Sequence, residues 1–252
     1  MRGMVARFAA PGKPRGLVAI SRDLVYILSV PPKFVPPCAP VLARTIPRGL
    51  GWLHEPKLDG YRFQVVKTSR EVRLYSRVGT EWTKRLPGFA DAIRRLPCRS
   101  AILDGELVLP DESGIPDFEG LQGAARACTE HMLVFFAFDL LYKNGIDLRL
   151  LPLTKRRQRL VRLIRRADIP FLHLVQAFEN GAMLLDAAAR HGLEGIVSKR
   201  QASPYRSGQS RHWVKIKTAA WREANRERGP SSNGTILLGK DPTPPRRPGW
   251  GS

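Results

Sequence analysis

The order of apolar and polar positions changes character several times along the chain, and each change marks an element. YRFQVVK (61–67) and VRLYS (72–76) alternate as strands do, leaving Thr68–Glu71 as a short turn. PGFADAIRRLP (87–97) has apolar residues at helical spacing, opens on Pro87 and stops at Pro97. AILDGELVL (101–109) reads as a strand pair or as one strand bent at Gly105, and LVFFAFDLLY (133–142) as a buried aromatic strand. LTKRRQRLVRLIRRADIP (153–170) predicts a helix with Leu153, Leu160, Val161 and Ile164 on its apolar face. ENGAMLLDAAARHG (179–192) predicts a second, with Gly192 just past its end. GIVSKR (195–200) and HWVKIKT (212–218) read as strands. Strands in runs, with helices that do not strictly alternate with them, predict an α+β fold.

The flanks lack these periods. Residues 1–30 are rich in arginine and glycine and read as a disordered basic arm. Pro31, Pro32, Pro36, Pro37 and Pro40 make residues 31–50 an extended lead-in rather than an element. After WREANRER (221–228) the Gly-, Pro- and Ser-rich residues 229–252 read as a disordered tail. The expected organisation is an arm (1–30), one domain (31–228) and a tail (229–252).

Composition narrows the partners. Hydrophobic residues are 43% of 252, enough for a core, while 42 Lys and Arg against 22 Asp and Glu give +20. A charge of that size implies a polyanionic partner, most simply nucleic acid. Cys38, Cys98 and Cys128 are odd in number, widely spaced and without zinc spacing. They read as free thiols in a reducing compartment, the cytoplasm. No apolar run approaches the roughly 18 residues of a membrane helix. LVYILSV (24–30) is followed by PPKFVPPCAP instead of a small-residue cleavage site, which argues against export. The five histidines are dispersed and read as structural.

Candidate chemistry centres on HEPKLDGYRF (54–63). A primary amine attacks phosphorus only when uncharged, and nearby cations or a metal favour that form. Lys57 is therefore a candidate nucleophile, with Asp59 two residues on, either orienting it or capping structurally. Gly60 would let the backbone approach a ligand closely. SRVG (76–79) places Arg77 in a loop, where a guanidinium can hold a phosphate or a ribose. LDGELV (103–108) offers Glu106 for Mg²⁺ or a ribose hydroxyl, and FAFD (136–139) offers Phe138 as a flat surface for a base. Phe135 and Phe136 read as core. EGIVSKR (194–200) supplies Glu194 and Lys199. In WVKIK (213–217) Trp213, Lys215 and Lys217 share one strand face, opposite Val214 and Ile216, and the two lysines can grip a triphosphate. The basic face of the 153–170 helix (Lys155, Arg156, Arg157, Arg159, Arg162, Arg165 and Arg166) reads equally as a surface for nucleic-acid phosphates or as a solvated face, while Arg206 and Arg211, flanking a Gly/Ser turn, read as substrate contacts.

Taken in order, KLDG, SRVG, LDGELV, FAFD, EGIVSKR and WVKIK resemble the nucleotidyltransferase motifs of ATP-dependent DNA ligases. EPKLDGYR, FFAFDLLY, the LTKRR helix, SPYRSGQSRHWVKIK and WREANRER are most similar to the ligase domain of bacterial end-joining ligases. The resemblance covers about residues 50–228. It implies an ATP-grasp-like nucleotidyltransferase domain, with antiparallel sheets flanked by helices. It also implies ATP and Mg²⁺ (or Mn²⁺) as cofactors. Lys57 would form lysyl-AMP. Glu55 and Phe138 would hold adenine, and Arg62 and Arg77 the ribose or phosphates. Glu106 and Glu194 would serve ribose and metal, and Lys215 and Lys217 the phosphates. The expected partner is nicked or broken duplex DNA, with a Ku-like end-binding protein or a separate chain carrying the family's oligonucleotide-binding barrel. Residues 229–252 are too few to build that barrel. The alternatives are a truncated remnant that binds ATP or nicked DNA without ligation, and a related RNA ligase or capping nucleotidyltransferase.

Overall fold

The computed structural model describes residues 20–21, 24–25, 34–112 and 132–226. The expectations for the basic arm and the tail, and those on Cys128 and His131, lie outside the described residues. The exception is a two-residue hairpin, β1 (Ile20–Ser21) with β2 (Leu24–Val25).

Two sheets carry the domain. In the first, β5 (Tyr61–Lys67) forms a hairpin with β6 (Val72–Ser76) across the turn read from the sequence. β7 (Ala101–Val108) pairs with β5, and β8 (Val134–Lys143) pairs with β7, both antiparallel. β9 (Ile146–Asp147) returns beside β8 through Asn144 and Gly145, whose φ values of 49° and 89° suit an Asn-Gly hairpin turn. β10 (Leu172–Leu174) adds a parallel edge to β8. The second sheet runs β3 (Cys38–Ala43), β12 (Gly208–Lys217), β11 (Gly195–Arg200) and β4 (Trp52–Lys57). The α+β reading holds, with mostly antiparallel sheets flanked by helices.

β7 is one strand with a register slip between Asp104 and Gly105, which resolves the strand-pair alternative. A Cβ on Gly105 would lie 2.4 Å from Phe135 Cζ and 2.6 Å from Phe136 O, so the glycine admits the neighbouring strand.

Helix α1 (Pro87–Arg94) starts on a proline at its first position and buries Phe89, Ala90 and Ile93. Phe89 meets Phe135 edge-on, with ring centroids 5.8 Å apart, inside the main core. Helix α2 (Leu153–Arg165) packs Leu160 and Leu163 on the same core. Helix α3 (Gly181–Arg190) is capped by Asn180, ends before Gly192 at φ 67°, and covers the second sheet with Ala188 against Ile196, Val214 and Ile216. A third cluster, including Val35, Tyr75, Tyr142, Tyr205 and Trp213, joins the two sheets at their seam.

Several expectations change. Residues 31–50 include a strand, β3, parallel to β12. Gln64 fixes the approach to it, accepting from Val35 N at 2.7 Å and donating to Val35 O at 2.9 Å, and Tyr205 Oη accepts from Cys38 N at 3.0 Å. These partners are distant in sequence, so local proline content does not report them. The basic face of α2 is also divided. Arg156 is fully buried, its Nε and Nη2 each 2.8 Å from an Asp139 oxygen, and Nη1 donates to Leu151 O and Ser203 O at 2.6 and 2.9 Å. Arg157 pairs with Glu55 at 2.7 Å. Neither belongs to a free phosphate-binding face; Lys155, Arg162, Arg165 and Arg166 remain exposed. Phe136 is only half-buried, against His173, while Phe135 is core as expected. WREANRER, to which the sequence assigned no element, begins within helix α4 (Ala219–Ala224), capped by Thr218. No described helix is long and apolar enough to cross a membrane.

Candidate active site

Lys57 ends β4 directly opposite Gly195 of β11, which brings the preceding residue, Glu194, to its side. Lys57 Nζ donates a hydrogen bond to Glu194 Oε2. A Cβ on Gly195 would fall 2.0 Å from Ile216 O, so close strand packing requires glycine beside that carboxylate. From Lys57 the chain crosses through Leu58–Gly60 into β5 of the other sheet. Gly60 is needed because a Cβ would lie 2.4 Å from Leu107 O. The close approach seen there is to a neighbouring strand, and Gly60 also lines the cleft between the two sheets.

The crossing opens a cleft of about 240 Å³ between the sheets. Glu55, Lys57, Asp59, Arg62, Arg77, Glu106, Phe138, Glu194, Lys199 and Lys215 all line it, so residues spread over about 160 positions converge. Lys217 stands behind Glu194 instead, 3.3 Å from its Oε1. Arg206 and Arg211 are exposed and do not line the cleft. The dispersed histidines form no metal-binding group among the described residues.

The charges sort into pairs. Glu55 is buried, with one oxygen on Arg157 Nη1 at 2.7 Å and the other on Lys199 Nζ at 2.5 Å. Lys199 also lies 4.3 Å from the Phe138 ring centroid and 4.1 Å from that of Trp213, two cation–π contacts. Arg62 is held bidentately by Asp104 at 3.0 and 2.7 Å and donates to Cys38 O at 2.7 Å. Its guanidinium pKa is pushed up by Asp104 against the cost of burial, so it is a fixed cation with most donors already committed.

Burial pushes the Glu106 carboxyl up to about 7, although Lys57 and Arg62 pull the other way. Burial also raises Asp59, with repulsion from Glu194 added and attraction to Lys57 and Lys217 opposing. Lys215 is lowered by burial first, then by repulsion from Lys57 and Lys217. The cleft thus opposes carboxylate ionisation at Glu106 and Asp59, and gathers cations where an anion would relieve their repulsion.

Among the described residues, three buried side-chain atoms lack a hydrogen-bond partner: Ser76 Oγ, Trp213 Nε1 and Glu194 Oε1. All three belong to residues lining the cleft. Glu194 Oε1 has Lys217 at ion-pair distance but no aligned hydrogen bond from it. Unpartnered polar atoms are rare in interiors, and their gathering here marks a site shaped for a polar ligand. Sequence reading missed Arg157 as the partner of Glu55 and Tyr205 as a brace for Asp104 at 2.6 Å. Tyr205 lies in the SPYRSGQSRHW string, but nothing in the string points to Asp104.

The family model for the ATP-dependent DNA ligase domain matches residues 41–217. The chain belongs to that family. Across 187 residues it is 40% identical to the multifunctional non-homologous end joining protein LigD of Pseudomonas aeruginosa, covering 74% of this chain and 22% of that protein. A probable DNA ligase of Sorangium cellulosum is 34% identical over 216 residues, covering 74% of this chain and 40% of the relative. The chain therefore spans well under half the length of these relatives. The solved ligase domain of Mycobacterium tuberculosis LigD superposes with a TM-score of 0.60 at 32% identity, covering 71% of this chain and 60% of that one. A mycobacterial DNA ligase D complexed with ATP and MES gives a TM-score of 0.58 at the same identity, with the same coverage of each chain. The ligase fold expected from the motifs is thus the fold found.

Proposed function

We propose that the chain is the adenylation domain of an ATP-dependent DNA ligase acting on nicks or breaks in DNA repair. The observation that carries this is Lys57, hydrogen-bonded to Glu194, in a cation-lined cleft whose buried unpartnered polar atoms await a ligand. ATP is the first substrate. With the Lys57 amine uncharged, its lone pair forms a P–N bond to the α-phosphorus, and the P–O bond to pyrophosphate breaks. Glu194 Oε2 already accepts a hydrogen bond from Nζ, which makes it the atom to take the amine proton. Lys215, together with Lys217 beside Glu194, carries the charge of the departing phosphates. Phe138 offers its ring to adenine, beside Glu55. Arg77 stands at the mouth for ribose or phosphate, while Arg62, braced by Asp104, serves as a fixed positive wall.

The donor set fits a magnesium or manganese ion shared with the nucleotide. No described cluster of three or more Asp, Glu, His or Cys could cage an ion alone. A magnesium ion commonly takes one or two carboxylates and completes its shell with phosphate oxygens and waters. Glu194 Oε1 has the free lone pairs, and Glu106 supplies a second oxygen once ionised. When bound, the ion would stabilise charge on the non-bridging phosphate oxygens.

In the later steps AMP passes from Lys57 to a DNA 5′-phosphate, and a 3′-hydroxyl then displaces AMP and seals the strand. Exposed Lys155, Arg162, Arg165 and Arg166 offer charge for duplex phosphates. The relatives named for non-homologous end joining support broken ends as the substrate. The proposed partner is a Ku-like end-binding protein or a barrel-bearing chain, and the proposed place of action is the cytoplasm, at the nucleoid. The test is incubation with α-labelled ATP and Mg²⁺, followed by nicked duplex. Labelled protein whose label is released as AMP with sealed product supports the full reaction. Labelled protein without sealing restricts the chain to adenylation, and no label rejects the reading.

A further inference from the structure

Helix α4 begins two residues after the segment matched by the family model ends. Its first turn carries Trp221, and Lys217 Nζ lies 3.2 Å from the Trp221 ring centroid, squarely over the face. The same ammonium lies 3.3 Å from Glu194 Oε1. Lys217 is therefore held between a carboxylate and an aromatic face, and is only 8% exposed.

The contact is built in by three hydrogen bonds on Thr218. Its N–H donates to Glu194 O at 3.0 Å, tying the helix start to the residue beside the nucleophile. Its Oγ1 accepts from Trp221 N at 3.2 Å, capping α4, and donates to Leu193 O at 3.4 Å. One residue thus fixes both Trp221 and the backbone of Glu194. A lysine on an open strand end would sample many rotamers; one seated on an indole and a carboxylate samples few.

We propose that Trp221 is a positioning residue that seats Lys217 beside Glu194, so that this lysine is at hand for the triphosphate of the nucleotide. This rests on the adenylation reading. The seat places a preorganised cation at the rear of the cleft, which favours binding of the anion more than the bond-making step. A neighbouring exposed residue of the same helix, such as Arg222, has no such contact and serves as a control position.

The test compares wild type, Trp221→Ala and Trp221→Phe with three readouts. The first is the chemical shift of the Lys217 side-chain methylene protons in chain carrying carbon-13 lysine, assigned with Lys217→Arg. The Trp221 ring current should displace that signal upfield in wild type, and the displacement should vanish in Trp221→Ala. The second is calorimetric affinity for a non-hydrolysable ATP analogue with Mg²⁺. Trp221→Ala should weaken it by about 5- to 20-fold, within the range of a partly desolvated cation–π contact, and Trp221→Phe should recover most of the loss. The third is self-adenylation, where KM for ATP should rise in Trp221→Ala while the rate at saturation changes less than about 3-fold. An undisplaced Lys217 signal in wild type, or equal analogue affinity in wild type and Trp221→Ala, overturns the proposal. A wild type that binds the analogue without labelling Lys57 overturns the adenylation reading instead, and the first two readouts still decide the seat.

Discussion

Replacing Arg156 by alanine should damage the fold far more than replacing any exposed basic residue of the same helix. Arg156 and Asp139 are both fully buried, and two N–H donors meet the two carboxylate oxygens at 2.8 Å each. Alanine leaves the Asp139 carboxylate in the interior without its guanidinium partner, keeping the Leu140 N–H at 2.9 Å. It also removes the guanidinium donor from Leu151 O and from Ser203 O, the latter keeping the Leu153 N–H. Breaking a buried pair from one side costs about 3–5 kcal/mol, against a typical total stability of about 5–15 kcal/mol. At about 2–4 °C per kcal/mol for a domain of this size, the midpoint should fall by roughly 6–20 °C. Urea unfolding followed by far-ultraviolet circular dichroism measures it. The double replacement Arg156→Met with Asp139→Leu should recover much of the loss, because no charge is then stranded. An Arg156→Ala chain within about 1 kcal/mol of wild type would refute the buried-pair reasoning and return Arg156 to the exposed face the sequence suggested.

Three further outcomes follow from the geometry. Arg162→Ala, on the exposed part of the same helix, should leave stability within about 0.5 kcal/mol while lowering duplex affinity and reducing its salt slope by about one, read by fluorescence anisotropy at several salt concentrations. Glu106 has a folded pKa of about 7 against an ordinary 4.5, so the unfolded chain sheds its proton first and stability falls as pH rises through that window. Glu106→Gln, measured without metal or nucleotide, should flatten that decline by up to about 3 kcal/mol between pH 5 and pH 8, and an unchanged slope contradicts the shift. Gly195→Ala should cost at least about 2 kcal/mol in urea unfolding and disturb Lys57 labelling, since its Cβ would lie 2.0 Å from Ile216 O.

Much of this molecule was legible because its signals are local. The turn at Thr68–Glu71, the proline start of α1, Gly192 after α3 and the alternation of WVKIK each follow from a few adjacent residues. Pairings across the chain were not legible. The strand at Cys38–Ala43 depends on β12, Gln64 and Tyr205, so its prolines suggested only an extended segment. Arg156 and Arg162 are chemically alike in a sequence; burial beside Asp139 separates them. The site residues were named from ordered motifs, and the cleft gathers most of them. The Arg157 contact with Glu55 required the fold, since it joins residues 102 positions apart. The Trp221 contact with Lys217 is local, but it depends on the Thr218 cap that starts α4, an element the sequence reading did not assign.

The central claim is that Lys57 is the residue adenylated. The direct measurement is peptide mapping by tandem mass spectrometry after incubation with ATP and Mg²⁺, beside a Lys57→Ala chain whose folding has been checked by circular dichroism. The account predicts one adenylyl group on the peptide containing Lys57, removed by added pyrophosphate and absent from the variant. An adduct on another lysine, or none on a folded wild-type chain, would contradict it.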